Sequence, residues 1–321
     1  MKAVHRTEVR NVLAEKIRAA RALASKRLWR IAPLILLLAL STILGCTRRI
    51  VVPPVTPTPT GTYHTGMFVW FDLLTDNVRA VKHFYGDLLG WEFEDDGKAD
   101  PLYTVITHQG VPIGGIVASE QLDREVRRPR WVGYLSVPDV DEAVAYVREQ
   151  GGVVHTKAVN LRHRGRMAVV SDPQGAVLAL VRTENGDPAD VTAEELVVGR
   201  WFWNELWTSD LDAATSFYQT LAGYEQEAFG AVDGAPYYMM RRDERPRAGI
   251  LKIPFEGVLP NWLPYVLVDD PSAVAGRVES LGGVVLLRPE GVSHGGSAII
   301  ADPTGAAFAV QKWPPDNTEG Q

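Results

Sequence analysis

The fold of this chain is decided by the stretch from residue 67 to residue 91, which reads MFVWFDLLTDNVRAVKHFYGDLLGW. It opens with an apolar run that favours a strand, and the polar cluster Thr75, Asp76 and Asn77 then offers side-chain oxygens that can cap a helix. Gly90 is placed to end that helix. Apolar residues recur between the two at the spacing of one buried helical face: Val78, Val81, Phe84, Tyr85, Leu88 and Leu89.

The same unit returns in the second half of the chain as WFWNELWTSDLDAATSFYQTLAGY, residues 201–224. Trp70 corresponds to Trp203, and Asp72 corresponds to Glu205. The correspondence continues downstream, where DPQGA at residues 172–176 is matched by DPTGA at residues 302–306. So many matches at nearly constant spacing indicate two tandem copies of one domain.

Each half divides again into two similar modules. In the first half, a strand over 67–75 and a helix over 77–89 precede three strands at 91–95, 103–108 and 113–119. A second set follows: a strand at 131–137, a helix at 140–150, and strands at 153–158, 167–171 and 176–182. The pattern predicts an α+β fold with two βαβββ modules per half. The predicted boundaries are a first domain at 66–183, a linker at 184–198, a second domain at 199–313 and a disordered tail at 314–321.

Composition narrows the class of function. The chain has 321 residues and a net charge of −6, with 46% hydrophobic and 22% charged residues, as is ordinary for globular domains. Neither repeat carries a basic patch with interleaved aromatics, so we expect no nucleic-acid partner. A single cysteine excludes an intrachain disulfide and catalysis by a thiol pair.

The N-terminal sequence predicts a secretory signal and a membrane anchor. A basic segment of 30 residues precedes an uncharged, mostly aliphatic run at 31–45, which is typical of a secretory signal and short for a membrane-spanning helix. The quartet ILGC at 43–46 resembles a bacterial lipobox, which makes Cys46 the lipidated residue; the alternative is an uncleaved signal anchor. A Pro- and Thr-rich spacer follows within 47–65. We therefore expect an extracytoplasmic, membrane-anchored lipoprotein of the cell envelope.

The paired modules resemble the vicinal oxygen chelate superfamily, which includes glyoxalase I, bleomycin-resistance proteins and extradiol dioxygenases. The resemblance rests on FYGDLLGW and DPQGAVLAL in the first half and on FYQTLAGY and DPTGAAFAV in the second. It implies that each domain curls its paired modules into an open barrel around one pocket. The family hosts lyases, dioxygenases and pure binding proteins, so the fold by itself does not select an activity.

Enzymes of that family hold a divalent metal through His and Glu side chains on strands that face the pocket. Aligned through the FY and DP-G motifs, those places correspond here to Trp70, about Val117, about Val132 and Ala179, and in the second half to Trp203, about Leu251, about Leu263 and Ala309. None of these side chains is a metal ligand, so the sequence departs from the family's pattern here, and we expect neither a metal nor another cofactor.

Alternation along the first strand of each half places tryptophans and one carboxylate on the face that the resemblance assigns to the pocket. Asp72 and Glu205 either hold a polar or cationic ligand, or hydrogen-bond to backbone or to an arginine. A general-base role is a further, weaker alternative. His163 and His294 fall in matching loops that can lean over the pocket. The complete set of candidate pocket residues is Trp70, Asp72, Trp131, Trp203, Glu205, Trp207, Trp262, His163 and His294.

The sequence thus favours a metal-independent small-molecule-binding protein, with no catalytic residue assigned, and it allows a homo-oligomer. The first alternative is a metal-dependent glyoxalase-like lyase or dioxygenase. The second is a non-catalytic scaffold, in which the tryptophan-rich strands form a partner or inter-domain surface.

Overall fold

The computed structural model describes residues 52–95, 102–119, 128–232, 234–289 and 296–313. The predicted lipidation site Cys46, the candidate His294 and the predicted tail at 314–321 lie outside these ranges. None of the described helices is long and apolar enough to cross a membrane.

The two domains repeat the predicted order of elements, which confirms the α+β fold with two βαβββ modules in each. Domain 1 contains β1 (Phe68–Thr75), α1 (Val78–Leu89), β2 (Glu92–Asp95), β3 (Tyr103–His108), β4 (Val111–Ala118), β5 (Arg130–Ser136), α2 (Val140–Glu149), β6 (Val153–Leu161), β7 (Gly165–Ser171) and β8 (Val177–Thr183). Domain 2 contains β9 (Trp201–Thr208), α3 (Leu211–Ala222), β10 (Glu225–Val232), β11 (Ala235–Arg242), β12 (Arg245–Lys252), β13 (Asn261–Leu267), α4 (Pro271–Val278), β14 (Val284–Leu287), β15 (Ala298–Ala301) and β16 (Ala307–Gln311).

The helix ends follow the cap chemistry that the sequence predicts. Asn77 accepts a hydrogen bond from the backbone N–H of Ala80 at 3.1 Å, so the polar cluster after β1 starts α1. Gly90 has φ of 70° and ends that helix in the left-handed conformation, which glycine adopts without strain. Asp139, Asp210 and Asp270 cap the other three helices in the same way as Asn77.

Each domain is built on one eight-stranded mixed sheet. The strand orders are β2-β3-β4-β1-β5-β8-β7-β6 and β10-β11-β12-β9-β13-β16-β15-β14. In domain 1 the first strands of the two modules pair antiparallel, β1 with β5, and each pairs in parallel with the last strand of its own module. The first strand of each module therefore lies in the middle of its sheet, with its side chains divided between the two faces.

One face of each sheet packs against helices, and the core there is shared between the domains. The first module of domain 1 packs with the second module of domain 2, and the other two modules pack together in the same way. The duplicated sequence thus folds as an intertwined pair, because each module buries its helix-side face against a module of the other domain.

Two side-chain relays join the domains across these shared cores. In one relay the indole of Trp131 donates to the hydroxyl of Tyr85 at 2.9 Å, and that hydroxyl donates to Asp302 at 3.1 Å. In the matching relay Trp262 donates to Tyr218 at 2.9 Å, and Tyr218 donates to Asp172 at 3.0 Å. The DP-G turn aspartates therefore fix the domain interface as well as their own turns.

Residues 52–66, which we call the strap, lie against domain 1. Its residues 52–65 are the described part of the spacer predicted at 47–65. The backbone N–H of Thr60 donates to Asn185 at 2.9 Å, and that of His64 donates to the buried carboxylate of Asp187 at 2.7 Å. Val55 is 4% exposed and belongs to the apolar cluster on the free face of the domain 1 sheet. The strap therefore completes domain 1.

Candidate functional site

On the sheet face away from the helices, domain 1 holds a buried carboxylate surrounded by hydrogen-bond donors. Asp72 on β1 accepts from the Trp70 indole at 2.8 Å and from the Tyr103 hydroxyl at 2.7 Å through Oδ1. Its other oxygen, Oδ2, accepts from the Tyr134 hydroxyl at 2.5 Å. Asp72 is only 3% exposed, so these donors replace the water that the carboxylate loses on burial. We call these residues, together with Arg164, site 1.

A glycine on the neighbouring strand makes the tyrosine contact possible. Gly115 on β4 pairs with Asp72, and a Cβ at Gly115 would lie 2.0 Å from the hydroxyl oxygen of Tyr103 and 2.6 Å from Oδ1 of Asp72. Domain 2 repeats the arrangement: a Cβ at Gly249 would lie 2.0 Å from the hydroxyl oxygen of Tyr237. Both glycines are needed for close approach.

The phenols of site 1 stay protonated far above neutral pH. Burial raises the pKa of Tyr103 and Tyr134 well above the usual value, and the nearby Asp72 carboxylate raises the pKa of each further. The pKa of the corresponding Tyr237 and Tyr265 in domain 2 is raised in the same way, by burial first and then by Glu205. All four hydroxyls therefore remain hydrogen-bond donors.

Site 1 also contains a buried guanidinium. Arg164 lies in the turn between β6 and β7, and its Nη2 donates to the Tyr103 hydroxyl at 3.1 Å. Its Cζ lies 4.3 Å from the centre of the Trp70 ring and 5.5 Å from that of Tyr134. Burial alone would lower the pKa of Arg164, but the two tyrosines and Asp72 outweigh it and raise the pKa above its usual value. The cation is therefore retained.

The backbone of the turn selects Arg164 rather than the neighbouring His163 for the interior. His163 has φ of 71° and Gly165 has φ of 103°, so the chain reverses direction around Arg164. The backbone of Arg164 is bonded on both sides, to Leu161 and to Glu184. As a result Arg164 points inward, and the predicted pocket residue His163 is exposed to solvent.

Domain 2 repeats the carboxylate and its donors, and no arginine within the described ranges is bonded to them. Oε1 of Glu205 on β9 accepts from the Tyr237 hydroxyl at 3.0 Å, and Oε2 accepts from the Tyr265 hydroxyl at 2.6 Å and from the Trp207 indole at 3.2 Å. The indole of Trp203 donates to Tyr237 at 3.1 Å. Within the described ranges Glu205 has no ion-pair partner. We call these five residues site 2.

The two sites differ in closure. In site 1 the side chains of Trp70, Tyr103 and Tyr134 are all buried. Val55 of the strap lies in the same apolar cluster as Trp70 and Tyr134. In site 2 the carboxylate is 7% exposed, but Trp203 and Tyr237 in front of it are only half-buried. Phe229, which is 55% exposed, lies 6.3 Å from Tyr237 between ring centres. Site 2 is thus an open aromatic wall with a carboxylate behind it.

The places that the resemblance assigns to metal ligands do face this side of the sheet in both domains. Trp70, Val117, Val132 and Ala179 share one apolar cluster, and Trp203, Leu251, Leu263 and Ala309 share the corresponding one. None of these side chains can coordinate a metal. In the described part of the chain, no three His, Cys, Asp or Glu side chains come together as a possible metal site. The donor set therefore does not fit the family's metal.

Of the sequence-predicted pocket residues, five lie in the two sites: Trp70, Asp72, Trp203, Glu205 and Trp207. Trp131 and Trp262 lie on the opposite face of the sheets, where they donate to the interface tyrosines. Sequence reasoning missed five residues that complete the sites: Tyr103, Tyr134, Arg164, Tyr237 and Tyr265. A usable signal was the repetition of tyrosine at matching places of both halves, at 103 and 237 and at 134 and 265.

Comparison with known proteins agrees with this architecture. Residues 68–181 match the family described as glyoxalase-like domain. The chain is 32% identical over 256 residues to the "Putative glyoxylase CFP32" of Mycobacterium tuberculosis, covering 79% of this chain and 97% of that protein. It is 31% identical over 261 residues to the "Anthracycline biosynthesis protein DnrV" of Streptomyces peucetius, covering 76% of this chain and 92% of that protein.

Among solved structures, the fold is similar to that of homoprotocatechuate 2,3-dioxygenase. A variant of the enzyme from B. fuscum has a TM-score of 0.51 at 17% identity, covering 84% of this chain and 77% of the other. The enzyme from Arthrobacter globiformis has a TM-score of 0.50 at 16% identity, covering 80% and 83%. At this identity the likeness concerns the fold alone. The chain therefore belongs to the glyoxalase-like proteins of the vicinal oxygen chelate superfamily, with two tandem domains.

Proposed function

We propose that this protein binds a small molecule without a metal, and that site 2 is its open binding site. One observation carries the proposal: where family enzymes place metal ligands, site 2 has the half-buried indole of Trp203 in front of the Glu205 carboxylate. An aromatic wall with few polar groups is the usual composition of a small-molecule site.

The chemistry of site 2 favours a planar aromatic molecule that carries a protonated amine. The rings of Trp203 and Tyr237 offer stacking surface, and both attract a cation through their faces. Glu205 adds a carboxylate whose described partners, two hydroxyls and one indole, carry no charge. One relative is named for anthracycline biosynthesis, and anthracyclines are polycyclic aromatic compounds, which is compatible with this ligand class.

A titration of tryptophan fluorescence with naphthylmethylammonium tests the proposal. We expect saturable quenching that is weakened about tenfold by Trp203→Leu or by Glu205→Gln, which corresponds to about 1.4 kcal/mol of binding free energy. Glu227→Gln is the matched control, because Glu227 is an exposed glutamate of the same domain that pairs with Arg241. Quenching that is absent, or equal in all variants, would refute the assignment of site 2.

A glyoxalase-like lyase or dioxygenase is the competing function, since one relative is named as a putative glyoxylase. Such an activity in this family needs a metal, and the side chains at the corresponding places here are apolar or indole. Turnover of methylglyoxal in the presence of a thiol, appearing only when Ni²⁺ or Zn²⁺ is added, would favour the enzyme over the binding protein.

We further propose that the protein is tethered to the membrane of the cell envelope through lipid on Cys46. The supporting observation is the order of the N-terminal sequence: a basic segment, an aliphatic run and the ILGC quartet. Cys46→Ser is expected to abolish incorporation of labelled palmitate and to release the protein from the membrane fraction. Membrane association that survives the substitution would instead indicate an uncleaved signal anchor.

A further inference from the structure

The guanidinium of Arg164 is buried and charged, and only one of its two terminal nitrogens has a hydrogen-bond partner among the described residues. The residue is 1% exposed, and its Nη2 group is bonded to the Tyr103 hydroxyl. Its Nη1 group is also buried, and within the described ranges it has no hydrogen-bond partner. A buried N–H without a partner costs about 1–3 kcal/mol, so a fold that keeps one at this place carries an unused binding group.

No other side chain of site 1 accepts a hydrogen bond from Nη1 of Arg164. The Asp72 carboxylate accepts from Trp70, Tyr103 and Tyr134, and the Tyr103 hydroxyl stands between it and the guanidinium. Arg164 is held with one flank over the Trp70 ring. The orientation of the guanidinium is thus fixed by stacking and by one hydrogen bond, which leaves Nη1 preorganised for an additional acceptor.

We propose that site 1 is a second ligand site, distinct from site 2, in which Nη1 of Arg164 binds the carboxylate of a small aromatic acid. A charge-assisted hydrogen bond from a guanidinium to a carboxylate is about twice as strong as a neutral one. Trp70 and Tyr134 supply the aromatic surroundings. We expect site 2 to reject the same ligand, because Glu205 places a carboxylate there and none of its described partners is a cation.

Entry of the ligand requires the strap to move. Val55 lies in the same apolar cluster as Trp70 and Tyr134, and these side chains and Arg164 are buried. The strap is attached at its far end, through Thr60, Gly61 and His64, and therefore its first residues can withdraw while those bonds persist. The ligand-bound state and the state in which Val55 packs against site 1 then exclude each other.

The test uses naphthoate as the probe and the full chain as the protein. We expect naphthoate to bind the wild type, and Arg164→Gln to weaken it at least tenfold while leaving naphthylmethylammonium binding at site 2 unchanged. Glutamine retains an amide donor for the Tyr103 hydroxyl but removes the charge. Arg166→Gln is the control, because Arg166 lies on the same hairpin, is bonded to Asp141 and faces away from site 1. Equal naphthoate affinity in all three proteins, or no binding by the wild type, overturns the proposal.

A second measurement needs no variant and covers the case in which Arg164→Gln fails to fold. In the wild-type protein with ¹⁵N-labelled arginine side chains, naphthoate is expected to shift the guanidinium signal of one buried arginine. The matched cation naphthylmethylammonium is expected to leave that signal in place. Absence of a naphthoate-dependent shift overturns the proposal independently of site 2.

Discussion

Site 1 and site 2 descend from one duplicated pattern, yet they differ in charge and in closure. Each has a carboxylate that accepts from two tyrosine hydroxyls and one indole. Site 1 adds a buried arginine, and Val55 of the strap lies in its apolar cluster, whereas site 2 leaves Trp203 and Tyr237 half-buried. The carboxylate with its two hydroxyls and one indole is therefore the framework that the two domains share, and the residues around it make the sites different.

Alkaline pH should disrupt both sites together, with the largest effect. The tyrosine pKa values are raised in the folded state, so the folded protein holds more protons than the unfolded chain above the usual phenol pKa of about 10. The stability contributed by these phenols is present below that pH and falls above it by about 1.4 kcal/mol per pH unit for each phenol. Tyrosinate absorbance should therefore rise together with unfolding. Ionisation of the four site phenols near the usual pKa, in a protein that stays folded, would contradict the geometry of both sites.

Replacing the buried carboxylate by alanine should lower the free energy of unfolding more at site 1 than at site 2. Asp72→Ala leaves the buried Arg164 charge without a counter-charge and should cost about 3–5 kcal/mol in the free energy of unfolding. Glu205→Ala leaves only neutral donors unpaired, and half-buried Tyr237 can turn to water, so about 1–3 kcal/mol is expected. Urea unfolding of both variants measures the difference. An equal loss, or a larger loss for Glu205→Ala, would show that Arg164 does not depend on Asp72.

A methyl group added at Gly115 should destabilise the protein more than one added at Gly249, the matching glycine of domain 2. Gly115→Ala places its Cβ against the Tyr103 hydroxyl and the Asp72 carboxylate, and Gly249→Ala places one against the Tyr237 hydroxyl. Overpacking of this kind costs about 1–3 kcal/mol, and the larger value is expected at Gly115, because Tyr103 is buried and cannot move aside. Gly90→Ala meets no neighbouring atom and reports the backbone strain of positive φ alone. Thermal unfolding that is unchanged at Gly115 would refute the close packing.

The two side-chain relays at the domain interface should contribute equally to the free energy of unfolding, unlike the two sites. Tyr85→Phe and Tyr218→Phe each remove one hydroxyl from a relay to an aspartate of the other domain. Each substitution should lower the unfolding free energy by about 1–3 kcal/mol, because the indole N–H of Trp131 or Trp262 is left buried without its acceptor. A difference greater than that range between the two variants would show that the relays are not equivalent. Tyr238→Phe is a partly buried control on β11.

Closure by the strap predicts the smallest effect. Val55→Ala should increase the apparent affinity of site 1 for naphthoate a few-fold, because the closed state loses apolar contact while the ligand-bound state does not. Naphthylmethylammonium binding at site 2 is the internal control. Weaker naphthoate binding in this variant would indicate that Val55 belongs to the ligand site instead of covering it.

The fold was accessible from the sequence because its information is local and repeated. The capping cluster before α1, Gly90 after it and the period of the helical face each specify one element, and the second copy confirms them. Asp72 and Glu205 were found for the same reason, since alternation along a strand assigns a face. The assignment of Trp131 and Trp262 to the pocket was wrong. Their neighbours Val132 and Leu263 lie on the pocket face, so alternation along β5 and β13 places these two tryptophans on the helix side.

Arg164 could not be found because its inward direction depends on backbone conformation. Sequence reasoning selected His163 in the same turn as the polar group nearest to a pocket. The positive φ of His163 and of Gly165 exposes the histidine and buries the arginine. Likewise, the role of Asp172 and Asp302 at the interface depends on tyrosines more than 40 residues away from Asp172 and more than 200 from Asp302. These are tertiary facts, whereas the turn geometry of the DP-G motif is local.

Metal-free binding by the two domains can be checked by elemental analysis of protein purified without chelator and then incubated with Fe²⁺, Ni²⁺, Zn²⁺ or Mn²⁺. Probe titration with and without EDTA follows on the same protein. We expect substoichiometric metal, no gain in thermal stability and probe affinities that EDTA does not change. Stoichiometric metal that EDTA removes, with loss of probe binding, would contradict it and make this chain a metal-dependent member of its family.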